Sequence, residues 1–197
     1  VLNDLIKIWL FQVKKPSIKP NSFERYEADY RLKIKSHPLA QMQLYSIRGI
    51  HVQTFYNELY DKYKSVDVVK NVHKVLNMFF KYCVKENYLL KNPCESIELP
   101  KTSNVEDEIC PFNKDEINKI VDFSLREPKY YIFYIMLSTG IRRGEITALT
   151  HKDIDYEHSI LKINKSLNLM AVYDENNTKT YKDIVQTAKT KSSIREI

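Results

Sequence analysis

The sequence predicts a mainly α protein with a small β-sheet, built as an N-terminal helical bundle followed by a partial α+β domain. Three observations carry this expectation. Apolar residues recur at helical spacing in successive runs as far as Leu149. A polar, acidic stretch without periodicity, Pro100 to Ile109, interrupts those runs. From Ser159 onward the apolar period drops from that of a helix to that of a strand. With 197 residues and 43% hydrophobic content, the chain can bury one large core or two small ones.

The first predicted helix runs from Leu2 to Val13, with apolar residues at 2, 5, 6, 9 and 13 on one face and the single tryptophan, Trp9, among them. Pro16 and Pro20 break the chain. Asn21 with Glu24 three residues later then forms a capping-box signal for a helix that turns Phe23, Tyr26, Tyr30 and Ile34 inward and ends at His37-Pro38. A third helix, Ser46 to Tyr60, offers Ile47, Ile50, Phe55 and Leu59, although Gly49 weakens its first turn. The fourth is the clearest: from Val66 to Lys85, residues Val69, Val72, Leu76, Phe79, Phe80 and Cys83 bury one side of about five turns. On its other side Lys70, Lys74, Lys81 and Lys85 fall within an arc of about 60° at ~100° per residue. Such a stripe is either a solvated face or a surface for phosphates. His73 lies in the same region and reads as solvated.

The proline-bounded stretch divides the chain into a helical domain at 1–98, a linker at 99–109 and a second domain at 110–197. In the second, Asn113 with Glu116 caps a helix bearing Ile117, Ile120 and Val121. The run Tyr130 to Leu137 reads as a buried helix that Gly140 ends in the left-handed conformation. A further helix follows at once, with Arg142, Ile146 and Leu149 sharing a face that would turn Arg142 inward. An inward arginine needs a carboxylate or a phosphate beside it, so two readings stand: an Arg142–Glu145 ion pair, or an anion site. Strands are expected from Ser159 and from Tyr181 to Thr190, with a loop at Tyr173 to Thr178 between them and a turn at Lys191 to Ser193.

Composition narrows the function. A formal net charge of +6 and a pI near 9.0 favour an acidic partner, nucleic acid first. Three glycines, with neither a phosphate-cradling lysine loop nor a dinucleotide fingerprint, argue against nucleotide binding. Three cysteines, Cys83, Cys94 and Cys110, lack metal-ligand spacing and fit thiols in a reducing cytoplasm. The longest apolar run is too short to cross a bilayer and no export signal is visible, so a soluble, cytoplasmic protein without metal or cofactor is expected. The start at Val1 and the end at Ile197 within a strand-like run read as those of a piece of a longer protein.

Thr139-Gly140-Ile141-Arg142-Arg143-Gly144-Glu145 resembles the Thr-Gly-x-Arg-x-Gly-Glu box of the tyrosine recombinase (phage integrase) family. The tail from Ala188 to Ile197 is similar to that family's Lys-Thr-x-x-Ser-x-Arg-x-Ile hairpin, most like the branch found in integrases of conjugative transposons and related phages. The resemblance covers the whole chain loosely and these two boxes tightly. It implies site-specific DNA recombination through a 3′-phosphotyrosyl link on a mobile genetic element. A core-binding domain and the first part of a catalytic domain would close around duplex DNA, with protomers assembling on it. Arg142 would contact the scissile phosphate and Lys189 would protonate the leaving oxygen. Strand alternation alone does not separate Lys189 from Lys191; the box selects Lys189. The family's His-x-x-Arg box and its nucleophilic tyrosine have no match in the chain, since none of the five histidines is followed by arginine three residues on, and Tyr156, Tyr173 and Tyr181 match no family position. The fragment is therefore expected to bind DNA without cleaving it. Two rival readings are a DNA-binding regulator or architectural protein that uses the same clamp without chemistry, and a helical protein-interaction module.

Overall fold

Residues 1–101, 110–174, 177–187 and 193–197 are described by the computed structural model. The chain divides into two compact units, Val1–Val105 and Glu106–Ile197.

Among its described residues the first unit carries helices and turns but no strand. Helix α1 (Leu2–Ile8) passes into a π-helical turn, Trp9–Lys14, and ends in a short turn, α2 (Lys15–Ser17). Next come α3 (Pro20–Asp29), which continues as a π-helical turn at Tyr30–Ile34, two 3₁₀ turns at Pro38–Gln41 and Leu44–Ser46, α4 (Gly49–Tyr63) and α5 (Val66–Lys85). Apolar periodicity selects the buried faces. Val69, Val72, Val75, Leu76, Phe79, Phe80 and Cys83 of α5 are buried, as are Leu2, Ile6, Trp9, Leu10, Phe23, Ile34, Val52, Phe55 and Tyr56 of the other helices and turns. Trp9 meets Phe79 edge-on, with ring centroids 5.5 Å apart. Each large side chain so covered contributes roughly 1.5–3 kcal/mol relative to exposure. Ser65 caps α5 by accepting the Val68 N–H, and Lys64, in the left-handed region at φ 48°, closes α4.

The second unit begins with α6 (Lys114–Ser124), whose start is a reciprocal box. Glu116 N–H donates to Asn113 Oδ1 at 2.9 Å, and Asn113 N–H to Glu116 Oε2 at 2.8 Å. Helix α7 (Tyr131–Thr139) ends at Gly140, at φ 64°, and the short α8 (Arg143–Ile146) follows. Strands β1 (Ile154–Asp155), β2 (Ile160–Ile163) and β5 (Arg195–Glu196) form one antiparallel sheet in the order β1-β2-β5. Strands β3 (Lys165–Tyr173) and β4 (Lys179–Thr187) form a second, paired along nine residues from Lys165↔Thr187 to Tyr173↔Lys179.

Several expectations are corrected. The first helix does not stop at Pro16: a π-helical register, in which the Lys15 N–H bonds the Leu10 carbonyl, carries it to Ser17, and Ile18 is the first extended residue. Asn21 caps nothing, because Pro20 occupies the first helical position with its φ already set and Lys19 precedes it as the cap residue. Ile50 is 67% exposed, since α4 takes its phase from Val52, Phe55, Tyr56 and Leu59, while Ile47 is buried from the turn before it. His73 is half-buried and bonded to Tyr56 rather than solvated. None of α7 is buried; Phe133 stands 50% exposed. Strand β3 was not expected.

Candidate functional site

Gly140 turns the chain sharply out of α7, and Thr139 reinforces the turn by accepting the Ile141 N–H on its hydroxyl at 3.3 Å. The residues that then go inward are Ile141, Glu145 and Ala148, not Arg142, Ile146 and Leu149. Helix α8 is only four residues long, so the face drawn to Leu149 does not exist as a helical face. The Arg142 side chain is 72% exposed, while that of Glu145 is 9% exposed. The expected inward arginine is thus replaced by an inward carboxylate beneath an exposed arginine.

Glu145 joins two segments distant in sequence. Its Oε2 accepts the Arg142 backbone N–H at 3.0 Å and its Oε1 accepts Arg142 Nη1 at 3.0 Å. From β5, Arg195 adds Nη2 to Oε2 at 2.9 Å and Nη1 to Oε1 at 3.3 Å, a two-pronged pair. These bonds, the Arg195 side chain first, hold the Glu145 carboxyl down at about 2, against the opposing effect of burial. Two guanidiniums facing one carboxylate leave one positive charge in excess, which favours an anion nearby.

Arg142 and Glu145 line a cleft of about 430 Å³ together with Gly144, Lys165, Ser166, Asn168, Gln186, Thr187 and Ser193. Strand β3 forms one wall because α8 comes very close to it: a Cβ on Gly144 would meet the Leu167 carbonyl oxygen at 3.1 Å and Asn168 Oδ1 at 3.4 Å. Lys165 is held by Asp153 at 2.7 Å, and Asp153 also accepts the backbone N–H and hydroxyl of Thr150. The Lys165 bond is the foremost cause of an Asp153 carboxyl lowered to about 2. Lys165 was missed from the sequence, where a lysine between two apolar runs carries no signal of its own. Arg195 stood in the quoted hairpin box but had no role assigned to it.

The remaining expected residues divide. Lys189 and its rival Lys191 lie outside the described residues. Lys70, Lys74, Lys81 and Lys85 are all exposed along α5, and the Lys74 ammonium sits 5.8 Å from the Tyr26 ring centre. Beside the stripe, burial and the nearby Lys81 ammonium lower the His73 pKa, which favours its neutral form. Among the described residues no His, Cys, Asp and Glu are grouped to hold a metal ion, and no helix is long and apolar enough to cross a membrane. No described tyrosine lines the cleft.

Three comparisons bear on this geometry. Residues 1–60 match the family model described as phage integrase, N-terminal SAM-like domain. A "tyrosine recombinase XerC-like" protein of Caldanaerobacter subterraneus subsp. tengcongensis is 38% identical over 200 residues, covering 100% of this chain and 51% of the relative. The integrase of Staphylococcus phage L54a is 29% identical over 210 residues, covering 96% of the chain and 58% of the relative. The chain therefore spans between half and three-fifths of these relatives' length. Among solved structures, the Tn1549 transposon integrase in complex with a circular intermediate DNA superposes with a TM-score of 0.69 at 19% identity, over 98% of this chain and 60% of that one. Lambda integrase bound to DNA does so with a TM-score of 0.64 at 16% identity, over 91% and 58%. At those identities the likeness is one of fold.

Proposed function

We propose that the chain belongs to the tyrosine recombinase (phage integrase) family and that it works in site-specific DNA recombination, by strand cleavage and rejoining through a 3′-phosphotyrosyl intermediate. The observation that carries the proposal is the cleft in which Arg142, exposed and backed by Glu145, stands with a net positive charge. A trigonal-bipyramidal phosphorane bears more negative charge on its equatorial oxygens than the ground-state diester does. A guanidinium fixed there stabilises the transition state preferentially. Lys189 donates a proton to the departing 5′ oxygen, because an alkoxide is a poor leaving group without one. Resealing needs no external energy source, since the phosphotyrosyl bond keeps that of the broken diester.

Residues 1–98 act as the core-binding domain and residues 110–197 as the first part of the catalytic domain, joined by a linker at 99–109. The partner is duplex DNA, met in part by the lysine stripe of α5, and the full-length protein assembles with further copies of itself on that duplex. Integrases in this fold have been captured on DNA, and lambda integrase as a tetramer on a Holliday junction. The setting is a mobile genetic element in the cytoplasm.

The decisive experiment is Arg142→Ala in the full-length protein. Duplex binding stays within about twofold of the parent while single-turnover cleavage falls by roughly 10²–10³-fold, the scale of losing one transition-state donor. Equal loss of binding and of folding stability would instead make Arg142 a structural partner of Glu145.

A further inference from the structure

We infer that Arg195 is a positioning residue for Arg142: by taking both oxygens of Glu145 in a fork, it confines Arg142 to a single guanidinium bond with that carboxylate and keeps its remaining donors available to a phosphate in the cleft. The inference rests on the reading of Arg142 as the phosphate ligand. It assigns a role to a charged residue of the hairpin box that this reading leaves idle.

The argument is one of competition for a carboxylate. Each Glu145 oxygen accepts one bond from Arg195, and each accepts a second from Arg142, one through its backbone N–H and one through Nη1. A carboxylate prefers a two-pronged guanidinium to a single N–H contact, because the two shapes match. Here the fork belongs to Arg195, whose side chain is 28% exposed and whose strand is held by pairing with β2. Arg195 pairs with the buried Ile163 on β2, and Ile197 exchanges both backbone bonds with Leu161 at 2.8 and 3.0 Å. The Arg142 guanidinium engages Glu145 through Nη1 alone. With Arg195 removed, Glu145 is free to draw the Arg142 guanidinium into a fork of its own. The exposed cation would then fold back onto its support, still charged but turned from the position a phosphate needs.

The test compares Arg195→Ala, Arg195→Lys and Arg142→Ala in the full-length protein on two duplexes. One carries the ordinary scissile phosphate; the other carries a methylphosphonate there, so that a non-bridging oxygen is replaced by a neutral methyl. On the ordinary duplex Arg195→Ala cleaves on the order of 10²-fold more slowly than the parent, the scale of an ångström's misplacement of a catalytic group, with duplex affinity unchanged within about twofold. Arg195→Lys keeps the charge without the fork and loses about tenfold. On the methylphosphonate there is less charge to balance, so Arg142→Ala and both Arg195 variants recover most of their loss relative to the parent on the same substrate. If Arg142→Ala recovers and the Arg195 variants do not, Arg195 does not act through Arg142 and the inference is overturned. An Arg195→Ala protein that cleaves the ordinary duplex at the parental rate overturns it too. If Arg142→Ala shows no loss, the underlying reading of Arg142 has failed instead. Should Arg195→Ala not fold, by thermal unfolding of the 197-residue chain, Arg195→Lys on both substrates decides alone.

Discussion

Glu145 does at least three jobs with one carboxylate: it caps the start of α8, holds Arg142, and ties down β5 through Arg195. Because its folded-state pKa lies at about 2, below the ordinary value of 4.5, its ionised form stabilises the fold. That contribution is fully present above 4.5 and is lost as the pH falls from there toward 2. The thermal midpoint of the 197-residue chain should therefore fall over that window more steeply for the parent than for Glu145→Gln; parallel curves would show that Glu145 is not coupled to folding. Lys189 supports a separate chemical test in the full-length protein. Lys189→Ala should cripple cleavage of ordinary DNA, yet recover most of its rate on a substrate with sulfur at the 5′ bridging position, because a thiolate departs without a proton. Arg142→Ala should gain little from the same substitution, and Lys191→Ala should resemble the parent on both substrates. Rescue of the Lys191 variant instead would move the proton donor to Lys191. At this scale the sequence disclosed Arg142 through its box but not its direction, since counting at 3.6 residues per turn presumed a helix as far as Leu149 and α8 is four residues long. The close approach at Gly144 was equally hidden, because it depends on a strand some twenty residues downstream.

Among the elements, α5 was legible nearly whole: one apolar stripe, a serine cap and no internal glycine or proline leave little competition for its conformation. Strand β3 was not. Its run Leu169-Met170-Ala171-Val172 is continuously apolar and blurs the alternation that marks a strand, and three of those residues favour helices when taken alone. What holds β3 extended is its nine-residue pairing with β4, a tertiary fact. Helix α7 misled in the opposite sense, since nothing among the described residues buries a run as apolar as Tyr131–Leu137. The four lysines of α5 supply the test at this scale. Replacing Lys70, Lys74, Lys81 and Lys85 with Gln should weaken duplex binding and flatten the plot of log affinity against log salt by up to about 0.9 per lost phosphate contact. A slope identical to the parent's would make the stripe a solvated face.

For the whole molecule, the two units differ in how much each buries. The first carries most of the buried apolar residues, packed around α5, whereas the second buries Ile141, Ala148, Ile163, Met170 and Ala171 among its described residues. The proposed binding and the proposed chemistry fall to different units: lysines on a well-packed helical scaffold in one, and an arginine cleft held largely by ion pairs in the other. The central claim, that this chain is part of an enzyme and not only of a DNA-binding clamp, is tested most directly by trapping. The full-length protein is incubated with a duplex of its target sequence, nicked next to the scissile phosphate so that cleavage releases a short fragment and cannot reverse, without ATP and with chelator present. The account predicts a covalent protein–DNA adduct joined through tyrosine to a 3′ phosphate, abolished by Arg142→Ala while duplex binding persists. Saturating, specific binding with no adduct from the unmodified protein would contradict it and leave a regulator or architectural factor in its place.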